Sequence, residues 1–353
     1  MEKGATVFVG LSGGVDSSVA ALRLKNQGYR VVGVFIKVWH PDFMVCNWEA
    51  ERLDAMRVAA HLEIPFLTCD AVDTYRDEVA KHFISEYQAG RTPNPDVLCN
   101  KKVKFGAFLK FAKDRGADYI ATGHYVQRIE SEGVATLHRG IDPNKDQSYF
   151  LWSLSQEKLD RALFPVGDCD KSQIRNEAKK ARIPVAEKKD SQGVCFLGHI
   201  DIPEFLSHYI TLTPGNVLDT KGVRIGTHKS ALVYTLGQRH GFTLNNKNTN
   251  RELYYVVDRD IENNTITVAT KPKVISQSSE VILREITLRE PVHVDDTLEA
   301  QFRYRQTPLS VTINSVGVNT LTLTPKDDTE RPAAGQSCVL YRGSLCIGGG
   351  IIE

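Results

Sequence analysis

No stretch of the 353 residues holds the roughly 20 consecutive apolar side chains that a membrane-spanning helix needs. The opening residues, Met1-Glu-Lys-Gly-Ala, carry neither a secretory apolar core nor an Arg- and Ser-rich transit character, so a cytoplasmic location is expected. The seven cysteines (46, 69, 99, 169, 195, 338 and 346) include no C-x-x-C pair. That argues against a structural zinc site, and a reducing compartment argues against structural disulfides. An excess of one charge is also missing, since 44 basic residues meet 43 acidic ones for a net charge of +1. Whole-chain charge therefore does not point to nucleic acid, and any RNA contact must come from local patches. There is no G-x-x-x-x-G-K-[ST] loop, no internal repeat and no low-complexity tract. What remains is an ordinary globular composition, 41% hydrophobic and 25% charged, long enough for two or three domains.

The most informative stretch lies near the start. A β-branched run from Thr6 to Val9 reads as a buried strand, and Ser17 onward reads as a helix that ends near Gly28. Between them stands Ser12-Gly-Gly-Val-Asp-Ser-Ser18. Two glycines let the backbone turn sharply and approach a ligand, and Ser17 and Ser18 offer hydroxyls and a helix cap. Such a strand-to-helix turn attracts a phosphate, and Asp16 makes sense there beside a magnesium ion that bridges phosphates. The plainer alternative is a Gly-rich turn with no ligand. The stretch resembles the PP-loop of N-type ATP pyrophosphatases, which cleave ATP to AMP and pyrophosphate while adenylating an oxygen of their substrate.

Strands and helices alternate after this loop. Arg30 to Val38, Ile64 to Cys69 and Tyr119 to Ala121 read as strands. Helices are expected over Glu49 to Leu62 (apolar at Leu53, Met56, Ala60 and Leu62), Thr74 to Ala89, Lys104 to Arg115, Gln156 to Leu163 and Lys171 to Ala181, the last capped by Asp170. Alternation of this kind predicts a parallel α/β sheet with ligands beyond the carboxyl ends of its strands. Ile36 and Gly123 fall where an adenosine would be gripped. From Gly215 onward short β-branched segments alternate with Gly, Asn and Asp turns, which predicts a small linking domain and then a barrel. The expected division is residues 1–205, 206–272 and 273–353.

Two cysteines are picked out by their neighbours. In Gly90-Arg-Thr-Pro-Asn-Pro-Asp-Val-Leu-Cys-Asn100 two prolines favour an extended loop that delivers Cys99 beside Lys101, Lys102 and Lys104. Ammonium groups favour the thiolate by lowering a thiol pKa from about 8.5. The alternative is a buried cysteine on a helix start with the lysines as its solvated face. Cys195, in Lys189-Asp-Ser-Gln-Gly-Val-Cys-Phe196, again follows a polar loop near lysines. Two exposed thiols on two loops point to sulfur or redox work.

With these pieces in place the chain is similar, end to end, to the tRNA-specific 2-thiouridylase (MnmA) family. The likeness rests on the two loops above and on Ala121-Thr-Gly-His-Tyr125, Asn144-Lys-Asp-Gln-Ser-Tyr-Phe150, Leu163-Phe-Pro-Val-Gly167, Thr235-Leu-Gly-Gln-Arg239, Arg303-Tyr-Arg-Gln-Thr307 and Gly348-Gly-Gly-Ile-Ile-Glu353. It implies ATP binding by Gly10, Leu11, Ser12, Gly13, Gly14, Val15, Asp16, Ser17, Ile36 and Gly123, with Asp16 catalytic and near magnesium. It implies Cys99 as nucleophile and Cys195 as carrier of a persulfide sulfur received from a donor protein, the two able to close a disulfide. Asn94, Pro95 and Asp96 would contact the target base. His124, Lys145, Asp146, Gln147, Arg303, Tyr304 and Gln336 would contact the tRNA, expected to be the glutamate, lysine and glutamine isoacceptors.

Under this reading the wobble uridine's C2 oxygen is adenylated and then replaced by sulfur. Whether Cys99 liberates sulfide or resolves the adduct by forming the disulfide is open. Residue by residue, Asp146 and Gln147 could equally cap a turn, and Arg303 with Arg305 could be one solvated strand face. The segment from Val38 to Trp48 is less acidic and more apolar than the family leads one to expect, and Cys46 adds a third candidate thiol there. An amidotransferase-coupled synthetase would not need two thiols, a non-catalytic tRNA binder would not need an intact PP-loop, and cytidine thiolases carry C-x-x-C pairs for an iron–sulfur cluster.

Overall fold

The apolar run Val7-Phe-Val9 pairs on both sides, and the rest of the N-terminal sheet grows outward from it. The computed structural model describes residues 4–44, 48–189, 198, 201–245, 253–272, 274–275 and 279–353. Five strands, β1 (Thr6–Gly10), β2 (Arg30–Lys37), β3 (Phe66–Asp70), β4 (Tyr119–Ala121) and β7 (Ala162–Leu163), form a wholly parallel sheet in the order β3-β2-β1-β4-β7. Alternate side chains divide between its two faces, as period-2 geometry demands. Val7, Val9, Val31 and Phe35 pack with helices α1 (Val15–Asn26) and α2 (Trp48–His61) and the helix Lys171–Lys180. Phe8, Val34 and Ile36 pack on the other face against the helical runs around Tyr75–Ala80 and Val97–Ala112. The expected α/β fold is the one found. Among the described residues, no helix is long and apolar enough to cross a membrane.

Three local expectations are corrected. Helix α2 buries Ala55, Val58 and Ala59, while Leu53 and Met56 stay 46% and 38% exposed. Small residues face inward because α2 must come close to the Ser12–Ser18 turn: a Cβ on Gly13 would lie 2.6 Å from the Glu51 carbonyl oxygen. The helix expected over 156–163 stops at Asp160. Ala162 and Leu163 instead join the sheet edge, where pairing with Ile120 and Ala121 and full burial override helical continuation. Ser17 and Ser18 do not cap α1, because the helix begins at Val15 with Gly14 as its N-cap. Both hydroxyls turn back to the Gly14 carbonyl, at 3.2 and 2.7 Å, as helix-interior serines do.

The second half is β-structure. Strands β8 (Gly215–Leu218), β9 (Arg224–His228), β10 (Phe242–Leu244), β11 (Tyr255–Asp260) and β12 (Thr265–Ala269) make one sheet in the order β10-β9-β8-β12-β11. Strands β14 (Val281–Leu288), β15 (Thr297–Gln301), β16 (Leu309–Val316), β17 (Thr320–Pro325), β19 (Ser337–Arg342) and β20 (Leu345–Ile352) close into a six-stranded antiparallel barrel, since β14 pairs with both β17 and β20. A hairpin from the N-terminal half, β5 (Val126–Ser131) and β6 (Val134–Arg139), extends this sheet by pairing with β20. Val126, Ala135 and Leu137 therefore share one apolar cluster with Val339, Tyr341 and Cys346.

The Gly-rich end of the chain is part of this closure. A Cβ on Gly348, Gly349 or Gly350 would lie 1.9 Å from the Thr287 oxygen, 2.2 Å from the Cys338 oxygen or 2.9 Å from the Leu283 Cβ. Strand β20 is thus squeezed between two backbones where only glycine fits. Gly349→Ala is expected to lower unfolding stability by about 1–3 kcal/mol, the usual range of overpacked core substitutions, and urea denaturation followed by circular dichroism checks it.

Candidate functional site

The strand order reverses between β1 and β4, and loops at such a switch point form a crevice. The turn after β1 fills it. Gly13 adopts φ +70°, the left-handed region, with no room for a Cβ. Gly14 caps α1 without any side-chain bond, so the helix presents its first-turn N–H groups outward. The loop after β4 closes the other wall: a Cβ on Gly123 would sit 2.7 Å from the Ser17 nitrogen. Ile36, at the end of β2, is buried and lies 3.7 Å from a Cβ built on Gly10. Gly10 to Ser17, Ile36 and Gly123 are thus neighbours at the carboxyl ends of β1, β2 and β4.

Asp16 is held by two residues that sequence reasoning missed. The Tyr125 hydroxyl donates to its Oδ1 at 2.7 Å, and the Lys171 ammonium donates to both carboxylate oxygens at 2.6 and 2.8 Å. Only the fold could have found them, because Lys171 lies 155 residues away at the start of another helix.

Cys99 corrects the extended-loop expectation. Asn94 is an N-cap whose Oδ1 accepts the Val97 N–H at 3.3 Å, and Pro95 takes the first helical position, where its missing N–H costs nothing. The helix Pro95–Cys99 then runs through a π-helical stretch, Asn100–Ala107, into Phe108–Lys113. The Cys99 side chain is completely buried, in the cluster that contains Ile36 and Phe108. Of the two readings of this cysteine, the buried helix-start one describes its position. A widened turn follows the thiol directly, and Lys158 donates to the Lys101 carbonyl oxygen at 2.8 Å. Such π segments recur at functional sites.

The segment before Asn94 is gripped from three sides. Arg259 donates to the Gly90 oxygen at 2.6 Å, and the Thr92 and Thr235 hydroxyls meet at 3.0 Å. From the barrel, the Ala334 oxygen accepts the Thr92 N–H at 2.9 Å, and the Gln336 amide donates to the Thr92 oxygen at 2.8 Å. Gln336, expected on the RNA, is therefore also the barrel's clamp on the Cys99 helix.

The other RNA candidates fall into one neighbourhood with mixed duties. Asp146 accepts bonds from Gly140 N–H, Ser148 N–H and the Ser148 hydroxyl at 2.9–3.0 Å, and Gln147 Oε1 accepts the Tyr125 N–H at 2.9 Å. Asp146 thus caps the turn that carries Lys145, as the turn-capping alternative has it, whereas Gln147 ties that turn to the loop after β4. Arg305 donates to the Asn144 oxygen at 3.2 Å, which brings that turn to the Arg303–Gln306 corner. This corner lines a cavity of about 380 Å³ with Phe302, Glu330 and Pro332. Arg303 is not one solvated strand face: it pairs with Glu330 at 2.7 Å and donates to the Leu236 oxygen at 3.2 Å. Tyr304 packs against Phe150 with ring centroids 4.5 Å apart and planes tilted by 50°. His124 is buried, with Nδ1 2.7 Å from the Thr122 hydroxyl and Nε2 3.5 Å from the Lys104 ammonium.

Comparison with known proteins matches this arrangement along its whole length. The tRNA methyl transferase HUP domain matches residues 5–199, the tRNA methyl transferase PRC-barrel domain 203–270 and the aminomethyltransferase beta-barrel domain 279–352. A protein of Proteus mirabilis (strain HI4320) named tRNA-specific 2-thiouridylase MnmA is 43% identical over 98% of this chain and 96% of its own. The chain belongs to the MnmA family. Relatives of the same name from Klebsiella pneumoniae subsp. pneumoniae (44% identical, 98% and 96% covered) and Escherichia coli O1:K1 (43%, 100% and 98%) extend the likeness.

Cys195 and Cys46 lie outside the described residues. Three other cysteines of this MnmA-family chain are packing residues: burial pushes the Cys69 thiol up to about 11 and raises those of Cys338 and Cys346. Cys169 is half-buried and accepts a bond from Arg23 at 3.1 Å.

Two outcomes follow. Burial first, and the nearby Lys104 charge second, hold the His124 imidazole well below its usual range near 6.5. Below about pH 6.5 the unfolded chain takes up a proton that the folded protein refuses, so stability is complete above that pH and declines as pH falls toward the folded value. His124→Gln should flatten part of that decline in urea titrations between about pH 7 and about pH 5. Gln336→Ala should raise hydrogen exchange of residues 90–99 by tenfold or more, with barrel-strand exchange unchanged.

Proposed function

We propose that the chain is an ATP-dependent sulfurtransferase that places sulfur at C2 of the wobble uridine of tRNA. The observation that carries this is Ile36, which packs against Gly10 of the phosphate-type cradle and shares its apolar cluster with Cys99. The cradle and the helix that carries Cys99 thus rest on one shared packed core. The matching family descriptions speak of methyl transfer, but the full-length relatives are named thiouridylases. Adenylation, unlike methyl transfer, has a use for ATP.

ATP would lie along Gly10 to Ser17 with its adenosine between Ile36 and Gly123. Its phosphates would meet the N–H groups of α1, whose fixed dipoles stabilise charge that develops there. Among the described residues no group of three or more His, Cys, Asp or Glu side chains could cage a metal. Asp16 alone fits a magnesium ion that arrives on the nucleotide, since such ions use one or two carboxylates and keep their waters. That ion would supply neutralisation of phosphate charge. Asn94, Pro95 and Asp96, on the clamped helix start, would hold the extruded base beside Cys99. His124, Lys145, Asp146, Gln147, Arg303, Tyr304 and Gln336 would serve the tRNA, Asp146 by shaping the turn that presents Lys145 and Gln147 by tying that turn to the Tyr125 backbone.

The chemistry balances in three steps. The uridine C2 oxygen bonds to the α-phosphorus, the bond to pyrophosphate breaks with its electron pair leaving on pyrophosphate, and the N3 proton is released to solvent. The terminal sulfur of a Cys195 persulfide adds to C2, and AMP departs with the original oxygen. The Cys99 thiolate then attacks the Cys195 sulfur, forming the Cys99–Cys195 disulfide and leaving sulfur on the base. An external thiol reductant restores both cysteines with two electrons. The persulfide comes from a donor protein, the tRNAs are the glutamate, lysine and glutamine isoacceptors, and the compartment is the reducing cytoplasm. We divide the labour as adenylation in residues 1–205, linkage in 206–272 and tRNA contact in 273–353.

Nucleoside mass analysis of tRNA incubated with the protein, ATP, Mg²⁺ and a persulfide donor checks this. A gain of 2-thiouridine that Cys99→Ser and Cys195→Ser each abolish is expected. AMP release without thiolation would return the substrate to the open, and no nucleotide turnover at all would sink the reading.

A further inference from the structure

We propose that Lys171 is a catalytic residue: its ammonium binds the polyphosphate of ATP and neutralises the departing pyrophosphate, and its bond to Asp16 is the resting position that ATP displaces. This rests on the reading of the Gly10–Ser17 turn as an ATP cradle. Lys171 is the first residue of the helix Lys171–Lys180, and its side chain reaches the second residue of α1. The ammonium bonds both oxygens of Asp16, and the lysine and aspartate side chains are 13% and 30% exposed. Tyr125 holds Asp16 from a third direction, with its ring centroid 5.8 Å from the same ammonium.

A purely architectural role would be to fasten the helix Lys171–Lys180 to α1. That fastening already exists further along α1. Arg23 bonds the Pro165 oxygen, Asp168, Cys169 and Glu177, and Ile174 and Ala178 pack in the same cluster as Val19, Ala20 and Leu24. The Lys171–Asp16 pair lies instead at the first turn of α1, the end that the cradle leads into. A partly buried ion pair is weak evidence for stability, because desolvation offsets its attraction. Its position is also odd for structure alone, since a lysine at a helix N-terminus opposes the dipole. Both oddities resolve if an anion occupies the crevice during turnover. Asp16 would then be shared with the nucleotide's metal ion, and Lys171 would turn to the phosphates. As the bond between α-phosphorus and the bridging oxygen breaks, the negative charge that grows on pyrophosphate would meet an ammonium already in place. No bond to Lys171 forms and no proton moves.

The test compares wild type, Lys171→Met, Lys171→Arg, Asp16→Asn and the Asp16→Asn/Lys171→Met double variant. Calorimetric binding of ATP and AMP, with melting temperature as a fold check, comes first. Lys171→Met should weaken ATP binding by tenfold or more and AMP binding by less than threefold. It should slow tRNA-dependent AMP release about 100-fold, with Lys171→Arg recovering part of each. In EDTA, Asp16→Asn should bind ATP more tightly than wild type, and the double variant should lose that gain; this arm does not depend on how the single methionine variant folds. Threefold or smaller changes in both ATP binding and AMP release for a folded Lys171→Met would overturn the proposal, as would an Asp16→Asn gain that survives in the double variant. Absence of ATP binding by wild type would instead overturn the ATP reading beneath it, and this with it.

Discussion

Thr92 ties together parts of the chain that are distant in sequence. Its N–H donates to Ala334 beside the barrel and its carbonyl accepts from Gln336, while its hydroxyl meets Thr235 in a loop of the middle region. Two residues on, Asn94 caps the helix that ends in Cys99. The position of the thiol is thus set by three parts of the chain distant in sequence. A loop held only at its own ends would leave that helix start to fray, because short helices are marginal without tertiary support. Here the support comes from the region that would hold the tRNA, so a shift of the barrel would be felt at Cys99.

The cradle is arranged on an opposite plan. It is built locally from seven consecutive residues, and distance enters only where Gly123, Tyr125 and Lys171 close around Asp16. Gly13 permits α2 to press from one side, and Gly123 lets the backbone after β4 press from the other. Ile36 links the two plans by facing both Gly10 and the Cys99 cluster. Under the proposed function, a cradle rigid by sequence would take the nucleotide in every cycle, and a thiol positioned by assembly would wait for the base to be delivered.

What was legible in the sequence follows the same division. The parallel sheet and the barrel could be read because β-branched runs and turn residues act locally. So could the turn Ser12–Ser18, whose glycines and Asp16 are contiguous. The apolar positions Leu53 and Met56 mark α2 as a helix but not its buried face, because close approach demands alanines there. Pro95 reads as a helix breaker although it stands at the one helical position that welcomes it. Ala162 and Leu163 continued a helical pattern and were recruited by a sheet edge. Lys171 and the anchoring role of Gln336 left no mark in the sequence, since their partners lie far along the chain.

The claim on which the account turns is that the cradle activates the uridine oxygen itself. It is tested most directly by tRNA carrying ¹⁸O at C2 of the wobble uridine, incubated with the protein, ATP, Mg²⁺ and a persulfide donor. Mass analysis of the released AMP should find the label in its phosphate, in step with the appearance of 2-thiouridine. Unlabelled AMP accompanying full thiolation would contradict the account, because the oxygen would then have left by a route that the ATP cradle does not serve.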